Sequence, residues 1–228
     1  SVLLDNGFNL NQVDENGNTV LMHALTSMPA KKSMSLLRNI LSVPSVNVSH
    51  KNSDGESALH IEIRRMNAMS LPIIKMLVEH GADVNAESKD GLTPLTLCIV
   101  LSRRAMGSPS SATAGVWTGT NYWIPIVRYL ISYKAAWIGK KSAIDHCGRN
   151  PLHLLLSMPP PCINLADDHV SIVSNCLSMT SKKININAQD RYGNTALLGF
   201  CKAIAGISQK VATFEKTESS QYKEPLQL

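Results

Sequence analysis

The side chains best suited to chemistry in this sequence are few and scattered. Cys147 follows His146 directly, His153 lies six residues further on, and His60 lies in the first half of the chain. An imidazole beside a thiol suggests zinc, but a structural zinc normally takes four ligands, often delivered as close pairs, and no second pair stands near these three. Covalent or acid–base catalysis needs a nucleophile, a base and an orienting group held together. The spacing supplies no such set, and no glycine-rich phosphate loop follows a strand anywhere. The sequence therefore reads as a chain that is not an enzyme, binds no metal and needs no cofactor.

The remaining cysteines support that reading. Cys98, Cys147, Cys162, Cys176 and Cys201 are odd in number, contain no Cys-x-x-Cys pair and mostly sit in apolar runs. They are expected to be reduced core residues of an intracellular protein, cytoplasmic or nuclear, not a disulfide framework. No stretch approaches the roughly 18–20 consecutive apolar residues of a membrane-spanning helix, so no membrane insertion is expected.

The elements that position these side chains must be built without many rings, because aromatics make up only 5% of the 228 residues while 44% are hydrophobic. A core of Leu, Ile, Val, Met and Ala leans towards an all-α protein. The formal charge of +5 comes largely from isolated pairs, Lys31-Lys32, Arg64-Arg65, Arg103-Arg104, Lys140-Lys141 and Lys182-Lys183. Basic pairs complement helix C-termini in any case, so a nucleic-acid partner is disfavoured.

One short signal recurs five times: an Asn/Asp-rich turn, a glycine, one variable residue, then a helix-starting residue ahead of an apolar run. The copies run Asp14-Glu15-Asn16-Gly17-Asn18-Thr19, Asn52-Ser53-Asp54-Gly55-Glu56-Ser57, Ser88-Lys89-Asp90-Gly91-Leu92-Thr93, Asp145-His146-Cys147-Gly148-Arg149-Asn150 and Asp190-Arg191-Tyr192-Gly193-Asn194-Thr195. The glycine allows the positive φ of a tight turn, and the Asn or Asp side chains bond nearby backbone. Thr, Ser or Asn two places later is a good N-cap, and Pro or Ala after it suits a first helical turn.

Upstream of the turns lies a second recurring segment, an amphipathic helix followed by a stop and a short extended stretch. In Leu71 to His80, Ile73, Ile74, Leu77 and Val78 share a face, and Gly81 stops the helix before Ala82-Asp83-Val84-Asn85-Ala86. The other copies are Met34 to Ser42, Trp123 to Tyr133 and His169 to Ser178. Each unit is thus a turn, an inner helix, a loop, an outer helix and an extended finger.

The sequence at this point resembles the ankyrin repeat family, through Thr93-Pro94-Leu95-Thr96, Ser57-Ala58-Leu59-His60, Asn150-Pro151-Leu152-His153 and Val78-Glu79-His80-Gly81-Ala82-Asp83-Val84-Asn85-Ala86. The fold implied is an all-α ankyrin-repeat solenoid. Residues 1–13 end a truncated preceding repeat; 14–51, 52–87, 88–144 and 145–189 form four repeats; 190–207 is a partial terminal repeat; and 208–228 is a polar tail or linker. The chain then reads as a monomeric array within a longer protein. Gly17 to Gly55 is 38 residues and Gly55 to Gly91 is 36, whereas Gly91 to Gly148 is 57 and Gly148 to Gly193 is 45. Against a family period of roughly 33 residues, the third and fourth repeats carry insertions, placed at 102–121 and 157–168. The resemblance also makes His60 and His153 structural residues that brace a neighbouring turn.

A repeat that cannot bury its apolar face alone must stack on its neighbours, which leaves a long concave surface. The resemblance implies that fingers and inner helices line it and hold a protein or peptide, not a small-molecule substrate. Carried over position by position, the exposed partner-binding residues would be Glu15, Asn16, Asn18, Ser53, Asp54, Glu56, Lys89, Asp90, Leu92, His146, Cys147, Arg149, Arg191, Tyr192 and Asn194. Arg and Tyr are enriched at binding hot spots, which places the energetic centre towards Arg149, Arg191 and Tyr192. Leu77 to Asn85 also resembles the pattern that asparaginyl hydroxylases modify, making Asn85 a candidate acceptor. The competing reading is a regulatory or substrate-recruiting arm of a larger enzyme, such as an ADP-ribosyltransferase or kinase, with its catalytic domain outside this chain.

Overall fold

Each recurring turn hands the chain to a helix. In the computed structural model, which describes residues 9–27, 30–65, 67–106, 122–133, 147–156, 174 and 185–202, these helices are α1 (Val20–Ser27), α2 (Ala30–Leu41), α3 (Ala58–Arg65), α4 (Ser70–Glu79), α5 (Pro94–Met106), α6 (Trp123–Ser132) and α7 (Pro151–Leu156). Residues 196–202 are helical as well. The starts are capped as their sequences predict. The side-chain oxygens of Thr19, Thr93, Asn150 and Thr195 accept the amides three residues on, at 3.4, 3.3, 3.0 and 3.3 Å, satisfying donors that a helix N-terminus leaves open. Pro94 and Pro151 open their helices where no amide donor is needed.

The second helix of a unit stops by a different device. After α4 the Ala82 amide donates to the Leu77 carbonyl at 3.0 Å and the Gly81 amide to that of Val78 at 3.0 Å. This is a Schellman closure, and Gly81 takes the φ of +88° that it requires.

Packing arranges the helices in two layers. The inner helices α1, α3, α5 and α7 stack in sequence, each on the next; α2 lies on α1, α4 on α3 and α6 on α5, and α4 also meets α6. One continuous core results, running from Leu21 and Leu25 through Leu59, Ile63, Ile73, Ile74 and Leu77 to Leu95, Ile99, Val127 and Leu155. Burying each such side chain contributes about 1.5–3 kcal/mol relative to leaving it in water. Because every inner helix buries residues against both neighbours, no unit is a core by itself.

Two details depart from the sequence reading. The helix α5 runs to Met106, so residues 102–106 of the expected insertion are helical. Ser102 is buried there and its hydroxyl donates to the Ile99 carbonyl at 2.8 Å, which lets a polar residue sit inside the helix. The rest of that insertion, the insertion at 157–168, all of the expected outer helix from His169 to Ser178 except Ser174, and the tail at 208–228 lie outside the described residues. A second unanticipated feature is Glu62, a carboxylate buried within the inner layer. Its Oε2 accepts from Arg65 at 3.3 Å, and its Oε1 has no hydrogen-bond partner among the described residues.

Candidate functional site

Every described finger is held by one side chain at its base. Asp14 Oδ1 accepts the amides of Asn16 and Asn18 at 2.9 and 2.7 Å. Asn52 Oδ1 does the same for Asp54 and Glu56 at 3.0 and 2.9 Å, and Asp190 Oδ1 for Tyr192 and Asn194, both at 2.9 Å. At the third finger Ser88, with one oxygen and a shorter reach, bonds only the Leu92 amide, at 3.3 Å. A backbone bond then closes each turn, from Gly17 to Asp14, Gly55 to Asn52, Gly91 to Ser88 and Gly193 to Asp190, at 2.8–2.9 Å.

Neighbouring fingers are joined through their backbones. The Ser53 amide donates to Asn16 O, Lys89 to Asp54 O and Arg191 to Cys147 O, each at 2.9 Å. This close approach explains the turn glycine beyond its positive φ. A Cβ on Gly55 would lie 2.8 Å from the Lys89 nitrogen, and one on Gly17 2.8 Å from the Ser53 nitrogen, too near for either backbone to remain in place.

A second row of ties lies beneath the fingers. Asn11 donates through Nδ2 to the Ser45 carbonyl at 2.7 Å and accepts the Asn47 amide at 2.8 Å. Ser49, the corresponding residue one repeat later, donates to Gly81 O at 3.0 Å and accepts the Asp83 amide at 3.2 Å. Asn85 occupies the same place one repeat further on and is exposed.

The two histidines also act between repeats. His60 accepts at Nδ1 from the Ser57 amide, 3.2 Å away, with the Ser57 hydroxyl at 2.9 Å, while Nε2 lies 2.9 Å from the Leu92 carbonyl of the next finger. The carbonyl demands a donor, so the hydrogen of the neutral ring sits on Nε2. Burial lowers the His60 pKa, which keeps that ring neutral. His153 repeats the reach, with Nε2 3.0 Å from Asn194 O. Both rings are thus bonded on each nitrogen and enclosed, an arrangement for holding turns and not for proton transfer.

The expected tip residues fall into three groups. Glu15, Asn16, Ser53, Asp54, Lys89, Asp90, Arg191 and Tyr192 are exposed, and Asn18, Glu56, Leu92, Arg149 and Asn194 are half-buried. Cys147, expected at an exposed tip, is only 8% exposed, and its carbonyl accepts the Arg191 amide of the fifth finger. His146 lies outside the described residues.

Sequence reasoning placed the inner helices on this surface but named none of their residues. Arg64 reaches back eight residues to Glu56, its Nε 2.7 Å from Oε1 and its Nη2 on the same oxygen. Lys202 reaches Asn194 Oδ1 at 2.6 Å over the same eight-residue interval, and His23 Nε2 lies 2.9 Å from Asp14 Oδ2. The recurring interval, from the residue after the turn glycine to the eighth beyond it, was the available signal.

The surface is charged, and two of its carboxylates are fixed as anions. The Asn18 amide, with the Asn18 side chain, His23 and the Asn16 amide, holds the Asp14 carboxyl below its ordinary range against a desolvation penalty. At Asp190 desolvation again opposes ionisation, and the Asn194 and Tyr192 amides outweigh it. Cys98 is the opposite case: complete burial pushes its thiol up to about 12, so it is a core residue without nucleophilic character. Among the described residues no cluster of His, Cys, Asp or Glu could hold a metal ion, and no helix is long and apolar enough to cross a membrane.

Residues 54–89, from the second finger tip through α3 and α4 to the third, match the family model of the ankyrin repeat. One ankyrin repeat is thus matched, at residues 54–89, within a fold of the ankyrin-repeat kind. It is similar to the crystal structure of the ankyrin repeat domain of Bcl-3, described as a unique member of the IkappaB protein family, with a TM-score of 0.55 at 18% identity over 87% of this chain and 70% of that one. At that identity the likeness concerns the fold alone. No curated protein sequence matches the chain. Within this ankyrin stack the position of His60 and His153 is filled by Met22 in the first repeat, by Leu198 in the fifth and, in the third, by Thr96. Its hydroxyl accepts the Thr93 amide at 2.8 Å and returns to the Thr93 carbonyl at 3.0 Å, bonds that stay inside one ankyrin repeat.

Proposed function

We propose that the chain binds a partner protein or peptide along the concave surface formed by its fingers and inner helices. The observation that carries this reading is the linkage of the two rows: Glu56 to Arg64, Asn194 to Lys202 and Asp14 to His23 join finger to inner helix in the first, second and fifth units. The apolar residues behind it are consumed by stacking, which leaves this face available for recognition. Arg149, Arg191 and Tyr192 form its energetic centre; Tyr192 is 70% exposed at a tip and so can be desolvated by a partner.

Two finer assignments accompany this. The array works inside the cell, as its free thiols Cys98, Cys147 and Cys201 accord with. Asn85 is an exposed acceptor for β-hydroxylation; peptide mass spectra after co-expression with an asparaginyl hydroxylase would show one added oxygen on Asn85, and an unmodified peptide would end that assignment. The main reading is tested by pull-down from cytosolic and nuclear extracts with the wild-type chain and an Arg149→Ala/Arg191→Ala/Tyr192→Ala variant of unchanged helicity. Partners lost by the variant support the concave surface; partners fully retained move the site elsewhere.

A further inference from the structure

The contact that builds the stack is left open at two places, and the two open faces are its complementary halves. Counted from the residue that caps each inner helix, the second and third positions are Leu21 and Met22, Leu59 and His60, Leu95 and Thr96, and Leu152 and His153. All are buried. In the fifth unit the same positions are Leu197 and Leu198, 65% and 44% exposed. Cys201, at the sixth position, is exposed as well, where Leu25, Ile63 and Ile99 are enclosed. Polarity does not account for the difference, since Leu198 is as apolar as Met22, which the first unit buries.

The first and fourth positions show the reverse. Ala58 and Ile61, Pro94 and Leu97, and Pro151 and Leu154 are buried, whereas Val20 is 41% exposed and His23 is exposed. The finger row follows the same pattern. The Ser53, Lys89 and Arg191 amides, each two residues before a turn glycine, donate to Asn16 O, Asp54 O and Cys147 O, each one residue before the preceding glycine. The Glu15 amide is the matching donor of the first finger and the Tyr192 carbonyl the matching acceptor of the fifth. Neither makes such a bond among the described residues.

We infer that the chain associates head to tail with a second copy of itself. The face of Val20 and His23 on one copy stacks on the face of Leu197, Leu198 and Cys201 on the other, and the Glu15 amide meets the Tyr192 carbonyl. This goes beyond the concave surface and departs from the monomeric array expected from sequence. The occupant follows from continuity with an interface already present: α1 packs on α3, α3 on α5 and α5 on α7 through these same positions, and a second copy carries the half that is missing. His23, where Ile61, Leu97 and Leu154 stand in the other units, makes the new contact more polar than the internal ones and so reversible. Because the two faces differ, the contact is heterologous, and each added copy leaves one of each face open for the next.

The test is sedimentation of the whole chain at rising concentration, alone and as two variants of unchanged helicity, Val20→Lys and Leu197→Lys/Leu198→Lys. The wild-type mass should climb past that of a dimer without a plateau. Each variant alone should stay at monomer mass, and an equimolar mixture of the two should form a one-to-one dimer through the faces left intact. A wild-type chain that remains monomeric at every concentration would overturn the inference, its faces being closed within the chain. Self-association of either variant alone would overturn it in favour of a contact between like faces, and so would a mixture that stays monomeric overturn the pairing of the two faces. The pull-down decides the concave surface separately, since none of the three substituted residues belongs to its proposed centre.

Discussion

The Nε2 atom of His60 lies 2.9 Å from the carbonyl oxygen of Leu92, 32 residues further along the chain and in the next repeat. A buried ring that satisfies its own turn on one side and the neighbouring turn on the other couples the stability of two units. His60→Ala leaves the Leu92 carbonyl without its donor, and the loss should be about 2–3 kcal/mol, read as a lower urea midpoint at pH 7.5. A midpoint unchanged within error would mean that the interface tolerates the missing bond.

The turn glycines should separate by position. Gly55→Ala combines the strain of positive φ, about 1–2 kcal/mol, with a Cβ driven into the Lys89 backbone. Gly193→Ala has the same φ of +73° and nothing within 4 Å of the added carbon. The expected losses are about 3 kcal/mol for Gly55→Ala and about 1 kcal/mol for Gly193→Ala. Equal losses would show that dihedral strain alone requires the glycine.

Two buried groups give opposite pH dependences. The folded His60 pKa is below its ordinary 6.5, so the unfolded chain binds the extra proton and stability rises with pH through the window just below 6.5. Burial raises the Glu62 pKa above 4.5 against the pull of Ser70 and Arg65. The folded chain then holds the extra proton, and this contribution is lost as pH climbs from 4.5 through the folded value. Glu62→Gln removes the second effect. Its urea midpoint relative to wild type should therefore be more favourable at pH 7.5 than at pH 5, and a constant difference would refute the assignment.

Thiol chemistry should follow burial. With its pKa pushed up to about 12, Cys98 carries almost no thiolate at neutral pH, and Cys147 is buried, whereas Cys201 is exposed. Brief treatment of the native chain with iodoacetamide, read by peptide mass, should alkylate Cys201 ahead of both. Rapid modification of Cys98 would require the inner layer to open readily.

The parts of the architecture legible in sequence are those whose causes are local. A glycine at positive φ, an Asp or Asn gathering two amides and a hydroxyl capping a helix all act within about one turn of chain, so Asp14-Glu15-Asn16-Gly17 and Asp190-Arg191-Tyr192-Gly193 announce the same structure. What escaped reading depends on partners outside that window. Cys147 is buried, and its carbonyl is bonded by Arg191, 44 residues later, which nothing in the turn itself signals. The Arg64–Glu56 pair is legible in sequence, because its eight-residue spacing recurs in Lys202 and Asn194. Glu62 was obscured because a charged residue on a short helix ordinarily reads as its solvated face. The end of α5 was misplaced for a similar reason, since Ser102 carries the polarity of a loop while its hydroxyl is satisfied inside the helix.

The row of amides that joins the finger tips also has a mechanical meaning. Bonds of 2.9 Å from Ser53 to Asn16, Lys89 to Asp54 and Arg191 to Cys147 fix the spacing of those edges, while the helices behind them meet through side chains that can slide. Any splaying of such a stack should follow a hand fan, pivoting at the riveted edge and spreading at the other. A long partner laid across the rivets would meet the same tip-to-tip spacing whether the fan stood open or shut.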